Sequence, residues 1–262
     1  MRPRYPATSN FASSFGPGPL TPAIKAIVIA NVAIFVLQMI VGRALGIDLN
    51  AILGLRPAAV VGGFQIWQVV TYMFLHGGVF HILFNMLALW MFGVELERMW
   101  GSRFFTKYYF VTGVGAAVTT LLVSFLPMSF ADQLYYSRTI GASGAIYGIL
   151  LGYARYFPNR PIYLYFVFPI PAKYFVMIMG AISLFSAMGG PGGVAHTTHL
   201  GGLAAGYLYL RGGGYLKGGG TGRLRVIAEI KYRYMKWRIN RMRRKFDVHP
   251  GGRASDINRR VH

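Results

Sequence analysis

The sequence contains no cysteine and few charged side chains. Because none of its 262 residues is a cysteine, disulfide bonds, thiolate metal sites and a thiol nucleophile are all excluded. Charged residues make up 13% of the chain and hydrophobic residues 54%, whereas an ordinary soluble domain has about 25% charged residues. Acidic side chains are few, with seven Asp and Glu in total against 27 Lys and Arg. This composition favours a membrane-embedded protein.

Most of the basic residues lie near the C-terminus. Of the 27 Lys and Arg residues, 15 lie from Arg211 onward, so the formal net charge of +20 is mainly a property of the tail. Apolar residues recur at helical spacing between Arg223 and Lys245, which predicts a basic amphipathic helix. Such a helix either contacts anionic lipids at the cytoplasmic membrane surface or only enforces topology through its charge. No nucleic-acid-binding fold accompanies the charge, so we expect no nucleic-acid partner.

Six apolar segments of about spanning length follow one another along the chain. They are Ala23–Val41, His81–Leu96, Phe104–Leu126, Ser143–Phe157, Ala172–Met188 and Val194–Leu210. An open chain crosses a bilayer only as a helix, because every backbone N–H and C=O must be paired within the segment. We therefore expect an all-α polytopic membrane protein. Its expected parts are a cytoplasmic N-terminal arm at 1–22, a six-helix membrane domain at 23–210 and a basic cytoplasmic tail at 211–262.

The basic residues between the segments indicate the orientation of the chain, since positively charged loops stay in the cytoplasm. One side of the expected bundle carries only Arg43, Arg56 and Arg138. The other side carries the remaining Lys and Arg residues of the first 210 positions and the whole tail. Both termini are therefore expected in the cytoplasm, which requires an even number of spans, and the expected location is the cell (inner) membrane.

The fourth apolar segment is too short to cross a bilayer. Its fifteen residues, Ser143–Phe157, extend about 22 Å as a helix, whereas the hydrocarbon core is about 30 Å thick. Its N-terminus, at Gly141-Ala142-Ser143-Gly144, must therefore lie below the membrane surface. Free backbone N–H groups and the dipole at a helix N-terminus can stabilise an oxyanion. The alternative is that Ser143 is only an N-cap in a glycine-rich turn.

Polar side chains inside apolar helices are costly and usually face a functional interior. His81 and Asn85 are four residues apart in the second segment, so they project from one face of a helix. His199 lies inside the sixth segment. His76 is a poor match to the face of His81, and we expect it at the outer helix end, bonded to loop backbone. These residues are candidates for a buried polar site.

Glycines recur at every fourth position in the fourth and sixth segments. They are Gly144, Gly148, Gly152, Gly202 and Gly206. Small residues at this spacing let helix backbones approach closely in lipid. If the two glycine faces meet, Ser143 and His199 come within hydrogen-bond distance, which is the geometry of a nucleophile and its base. Two alternatives stay open: these residues serve only helix packing, or His81 and His199 bind haem or a metal.

Taken together, the motifs resemble those of the rhomboid family of intramembrane serine proteases. The resemblance rests on His76–Asn85, Gly141–Gly144 and His199–Gly206, in this order on the second, fourth and sixth segments. It covers about Ala23 to Leu210, and the combination is far more specific than any of its parts. It implies a rhomboid-like bundle of six transmembrane helices with a short central fourth helix.

The resemblance also implies roles for individual residues. Ser143 corresponds to the nucleophile and His199 to the general base, in a dyad without an acidic third member. His81 and Asn85 correspond to the side chains that form the oxyanion hole together with the Ser143 backbone N–H. Tyr147 corresponds to the aromatic residue that packs against the histidine. The supporting positions are Gly141, Gly144, Gly202 and Gly206.

By the same resemblance, the substrates are transmembrane proteins with small or helix-weakening residues near the outer leaflet, and they enter between the second and fifth helices. Phe175 and Phe185 in the fifth segment are candidate gate residues, and we expect neither a cofactor nor a metal. Trp67-Gln68 departs from the Trp-Arg pair of many members, which puts the hydrogen bonding of the first long loop in doubt. The alternative functions are a catalytically silent rhomboid-like chaperone and a haem-binding or transport bundle.

Overall fold

The structure, a computed structural model, describes residues 16–128, 130–164, 168–188, 193–213 and 236. Its elements in chain order are α1 (Pro22–Leu45), α2 (Leu49–Leu53), α3 (Pro57–Gly62), α4 (Gln68–Thr71), a 3-10 turn (Tyr72–Phe74), α5 (Val79–Trp100), α6 (Ser102–Val123), α7 (Ala131–Tyr136), α8 (Ser143–Tyr156), β1 (Pro161–Leu164), β2 (Phe168–Pro171), α9 (Ala172–Met188) and α10 (Gly193–Arg211). All described residues except Lys236 belong to one compact unit. Residues 1–15 of the expected arm and, apart from Lys236, the tail helix expected at Arg223–Lys245 lie outside the described residues.

The six predicted apolar segments coincide with α1, α5, α6, α8, α9 and α10. Both α1 and α5 extend four residues further at their C-termini than predicted, and α6 ends at Val123 rather than Leu126. Pro22 at the first position starts α1, and Gly46 ends it in a left-handed conformation with a φ of 65°. Among the described helices, α1 and α5 are long and apolar enough to cross a membrane by length and composition, and Ala172–Ala187 is a shorter apolar helix.

One connection contradicts the all-α expectation. Between α8 and α9, the strands β1 and β2 form an antiparallel hairpin in which Ile162 pairs with Ile170. Pro161, Pro169 and Pro171 disfavour a helix here, while β-branched neighbours suit extended backbone. The described part of the chain is therefore mostly helical with one short hairpin, rather than all-α.

The short helix α8 is the centre of the bundle. It packs against α5, α6, α9 and α10, and all its residues from Gly144 to Leu150 are buried. Its fourteen residues end at Tyr156 and extend about 21 Å, less than the roughly 30 Å of a hydrocarbon core. Because Gly141 and Ala142 are buried as well, the beginning of α8 is surrounded by protein.

A buried carboxylate fastens the beginning of α1 to α5 and α6. Glu97, in the last turn of α5, is only 2% exposed. It accepts hydrogen bonds from the backbone N–H groups of Ala23 and Ile24, at 2.9 and 3.0 Å. It also accepts from the hydroxyls of Thr21 and Ser102. The two N–H groups lie in the first turn of α1, where the helix itself supplies no acceptor and a negative charge is favourable.

The substitution Glu97→Gln should destabilise the fold. It removes the charge and replaces one acceptor oxygen with a donor that faces other donors, so we expect the free energy of unfolding to fall by about 1 to 3 kcal/mol. Equilibrium unfolding in mixed micelles measures the change. The control is Glu95→Gln on the same helix, because Glu95 pairs with the half-exposed Arg160 and such pairs contribute about 0 to 1 kcal/mol. Equal effects of the two substitutions would contradict the capping role of Glu97.

Candidate active site

Ser143 and His199 face each other across the interface of α8 and α10. The Ser143 Oγ lies 2.8 Å from the His199 Nε2, and both residues are half-buried. Ser143 is the first residue of α8, whose N-cap is Ala142. The serine hydroxyl therefore pairs with an imidazole instead of capping its helix. At this distance a neutral imidazole can accept the hydroxyl proton.

Glycines bring the two helices close enough for this contact. A Cβ added at Gly202 would overlap with the carbonyl oxygen of Gly144. One turn further along α10, a Cβ at Gly206 would lie 2.6 Å from the Tyr108 hydroxyl and 3.3 Å from the Gly148 Cα. The glycine faces of α8 and α10 are thus in direct backbone contact. This contact brings the side chains of Ser143 and His199 within hydrogen-bond distance.

Gly141 leads into α8 in a conformation that favours glycine. Its φ is +122°, a value that residues with a Cβ rarely adopt. A Cβ at Gly141 would also lie 2.8 Å from the His81 Nε2 and 3.8 Å from the Ser143 Oγ. The missing side chain therefore lets the His81 ring lie beside the serine.

The His81 ring presents a hydrogen-bond donor toward this position. Its Nδ1 accepts a 3.2 Å hydrogen bond from the Gly77 backbone N–H. A neutral imidazole has one donor and one acceptor nitrogen, so the proton lies on Nε2. Nε2 is the atom that faces Gly141. His81 is therefore oriented to donate next to Ser143.

Asn85 is buried one turn after His81, but its amide bonds within its own helix. The Asn85 Nδ2 donates to the His81 carbonyl oxygen at 2.7 Å. Among the residues that the structure describes, the Asn85 Oδ1 has no hydrogen-bond partner. The structure therefore places Asn85 beside His81 and does not join it to Ser143. Its second amide hydrogen remains for another acceptor.

Tyr147 packs flat against the His199 ring and connects it to α9. The two ring centroids are 4.2 Å apart and the ring planes differ by 8°. The buried Ser183 hydroxyl on α9 donates to the Tyr147 hydroxyl at 3.2 Å. Sequence reasoning missed Ser183, because a single serine in an apolar helix carries no signal of its partner. The geometry adds it to the residues that hold the His199 ring in place.

The sequence suggested that the His76 ring bonds to loop backbone, and the ring lies within reach of the Phe74 backbone. Its backbone N–H donates to the Gln38 Oε1 at 3.1 Å. The ring meets that of His81 edge-on, with ring centroids 5.0 Å apart. Burial, and then the neighbouring His81 ring, lower the pKa of His76 to about 4, against the opposing effect of the Phe74 backbone. His76 is therefore neutral near pH 7 and adds no charge to the site.

Gln68 supplies hydrogen bonds in the first long loop, at the position where the resemblance implies an arginine. Its fully buried amide accepts from the Arg56 backbone N–H at 3.0 Å and donates to the Ile52 carbonyl oxygen at 3.2 Å. The Trp67 indole N–H donates to the same carbonyl at 3.0 Å. The amide of Gln68 thus gives this loop internal hydrogen bonds without a guanidinium.

The two candidate gate residues differ in their surroundings. Phe175 is half-buried and stacks on Phe92 of α5, with ring centroids 6.3 Å apart. Phe185, further along α9, is 74% exposed. Of these two residues, Phe175 is the one for which the described part of the chain shows an aromatic contact between α9 and α5.

The described residues include no cluster of three or more His, Asp or Glu side chains that could hold a metal ion. The two histidines of the haem alternative are also engaged elsewhere. His199 uses Nε2 for Ser143, and His81 uses Nδ1 for the Gly77 N–H. Without displacing these contacts, a haem iron could bind only through the His199 Nδ1 or the His81 Nε2.

A comparison with known protein families finds a match that covers these residues. A family model, the Rhomboid domain, matches residues 63–214, which is more than half of the chain and contains Ser143 and His199. The chain belongs to the rhomboid family. As a rhomboid it is a membrane-integral protein.

Curated rhomboids are distant relatives of this chain. It is similar to RHOMBOID-like protein 4 of Arabidopsis thaliana, with 30% identity over 71% of this chain and 50% of that protein. It is also similar to Rhomboid protease GluP of Bacillus subtilis, with 28% identity over 76% of this chain and 36% of GluP. Rhomboid protease AarA of Providencia stuartii is 27% identical over 70% of this chain and 69% of AarA. The chain spans half or less of the length of the first two relatives.

The substitution Gly202→Ala should force α8 and α10 apart. The new methyl group would overlap with the Gly144 carbonyl oxygen, and overpacking of this kind lowers the free energy of unfolding by about 1 to 3 kcal/mol. The control is Gly180→Ala on α9, where the methyl group would meet only the Leu203 side chain at 3.4 Å. Both changes gain the same helix propensity, so unfolding in mixed micelles isolates the overlap. Equal stability of the two variants would mean that the close contact is not required.

Proposed function

We propose that this rhomboid is an intramembrane serine protease that hydrolyses peptide bonds in or near transmembrane segments of other proteins. The observation that carries the proposal is the 2.8 Å separation of the Ser143 Oγ and the His199 Nε2. A serine hydroxyl is a weak nucleophile until a base takes its proton, and an imidazole at hydrogen-bond distance is such a base. Two of the relatives are named as rhomboid proteases, which agrees with this activity.

In the proposed reaction, the Ser143 Oγ attacks the carbonyl carbon of the scissile peptide bond while the His199 Nε2 takes the hydroxyl proton. The resulting imidazolium then protonates the leaving amine, so that the C–N bond breaks and an acyl-enzyme remains on Ser143. A water molecule next gives a proton to His199 and attacks the acyl carbon. Ser143 leaves with that proton, which restores the starting state.

Three groups are suited to stabilise the oxyanion of the tetrahedral intermediate. The Ser143 backbone N–H lies at the N-terminus of α8, where it has no acceptor within the helix and the dipole is positive. The His81 Nε2–H faces the Gly141 position next to Ser143. Asn85 contributes the amide hydrogen that is not used for the His81 carbonyl. Donors of this kind act most strongly where water is scarce.

We further propose that α1, α5, α6, α8, α9 and α10 are six transmembrane helices, with both termini in the cytoplasm of a cell whose inner membrane holds the protein. The uneven distribution of Lys and Arg supports this orientation. Exposed apolar side chains such as Ile40 on α1 and Met177 on α9 suit contact with lipid. The proposed substrates are transmembrane proteins that enter between α5 and α9, and the proposed role of the basic tail is contact with anionic lipids.

The substitutions Ser143→Ala and His199→Ala should each abolish cleavage of a model transmembrane substrate in membranes where the wild type cleaves it. One removes the nucleophile and the other its base. Labelling by a fluorophosphonate probe gives a second measurement, because the probe reacts with an activated serine. We expect the wild type to be labelled and both variants to remain unlabelled. The control is Ser137→Ala, which removes another hydroxyl shortly before α8 and should keep both activities.

The same measurements separate the alternatives. A catalytically silent rhomboid-like chaperone would bind transmembrane helices, leave the substrate intact and leave Ser143 unlabelled. The proposal would be wrong if the probe did not label the wild type. It would also be wrong if the Ser143→Ala variant still cleaved the substrate. A Soret band in the visible spectrum of the purified protein would indicate the haem-binding bundle instead.

The substitution Asn85→Ala should lower kcat by about a hundredfold to a thousandfold without abolishing cleavage, because it removes one oxyanion donor. Steady-state kinetics with the model substrate measure the effect. Asn31→Ala is a matched control, because Asn31 is buried and donates to the Ile27 carbonyl four residues earlier, at 2.8 Å, but lies on α1. The same loss of rate in both variants would indicate a structural effect rather than a lost donor.

A further inference from the structure

The proposed base lacks the third residue that orients the histidine of a soluble triad. For the His199 Nε2 to accept the Ser143 proton, the single proton of the neutral ring must lie on Nδ1. In soluble serine proteases a buried aspartate accepts a hydrogen bond from that Nδ1–H and so fixes the tautomer. Neither α8 nor α10 contains an acidic residue. Another acceptor has to hold the proton on Nδ1.

His196 lies one turn before His199 on the same helix and offers such an acceptor. The two ring centroids are 5.6 Å apart and the ring planes are nearly perpendicular, at 87°. In both residues the Nδ1 atom is buried and has no hydrogen-bond partner among the described residues. Two buried, unpaired ring nitrogens on adjacent turns are costly unless they satisfy each other. At this separation they can share a proton after a small ring rotation or through one bridging water.

We propose that His196 is a positioning residue for His199, a proposal that rests on the proposed protease function. The His196 Nδ1 accepts the hydrogen bond from the His199 Nδ1–H, which keeps the proton off Nε2 and leaves Nε2 free to take the serine proton. When His199 becomes an imidazolium, the same hydrogen bond to neutral His196 is strengthened by the charge. His196 does not contact the substrate and acts only through His199.

The size of the effect follows from the charge of the acceptor. An aspartate offers a full negative charge, whereas a neutral imidazole offers a dipole, so the contribution of His196 is smaller than that of a triad carboxylate. Losing one charge-assisted hydrogen bond in the transition state lowers kcat by about tenfold. The KM should not change, because the interaction orients the base and does not bind substrate.

Two substitutions at this position separate orientation from packing. His196→Leu replaces the imidazole with an apolar side chain of similar size that has no acceptor, and it should lower kcat about tenfold at an unchanged KM. His196→Asn restores an acceptor, because the asparagine carbonyl oxygen lies as far along the side chain as the histidine Nδ1. It should keep kcat within about threefold of the wild type. The control is Ala195→Leu, which introduces the same side chain at the exposed neighbouring position and should not alter kcat.

The kinetic outcomes distinguish this inference from the proposed function. If the wild type cleaves the model substrate and His196→Leu has the same kcat, or if the Leu and Asn variants lose the same activity, the inference about His196 is wrong and the proposed function stands. If the wild type does not cleave any transmembrane substrate, the proposed function fails and the inference fails with it.

A spectroscopic measurement tests the tautomer without relying on activity. The 15N chemical shifts of histidine-labelled protein report which ring nitrogen is protonated, and His199→Gln assigns the His199 signals among the six histidines of the chain. We expect the His199 proton on Nδ1 in the wild type and a mixture of tautomers in His196→Leu. An identical tautomer population in the two proteins would overturn the proposal.

Discussion

The contact between Gly144 and Gly202 is the constraint on which the rest of the site depends. No side chain separates the two backbones at this point, and a single added methyl group would overlap with a carbonyl oxygen. Because the helices are that close, Ser143, immediately before Gly144, lies within hydrogen-bond distance of His199, three residues before Gly202. In lipid the hydrophobic effect does not drive helices to associate, so close van der Waals contact between small residues contributes to helix association instead.

The position of α8 places the N-terminus of this helix, next to the contact between Gly144 and Gly202, inside the protein. Since α8 is only fourteen residues long and buried along most of its length, its positive N-terminal end lies inside the protein. Backbone N–H groups and the His81 ring converge there because Gly141 adopts a φ of +122° and carries no Cβ. Polar groups in a water-poor interior interact strongly, and each one that lacks a partner is costly. Burial therefore raises the free-energy cost of unpaired polar groups at the site and also strengthens the hydrogen bonds that its donors can make.

Sequence reasoning predicted the six apolar helices and the approach of Ser143 to His199, because apolar length and four-residue glycine spacing are local patterns. It did not predict the contacts that join distant parts of the chain. Glu97 caps a helix that begins 75 residues earlier, at Pro22, and Ser183 reaches Tyr147 from another helix. It also missed the hairpin of β1 and β2, because the prolines there disfavour a helix but do not predict that the two strands pair. Such features depend on tertiary neighbours, which a single sequence does not specify.

The stacking of Tyr147 on His199 has a consequence for how α9 and the site are related. The Tyr147 ring lies flat on the imidazole, and its hydroxyl is held by Ser183 of α9. The orientation of the His199 ring therefore depends on three helices: α10 carries His199, α8 supplies the stacking ring of Tyr147, and α9 holds that ring through Ser183. Any displacement of α9 that breaks the Ser183 hydrogen bond also loosens the support of His199. If the proposed substrates enter between α5 and α9, they contact the helix that supports the proposed base, so substrate entry and alignment of His199 would be coupled.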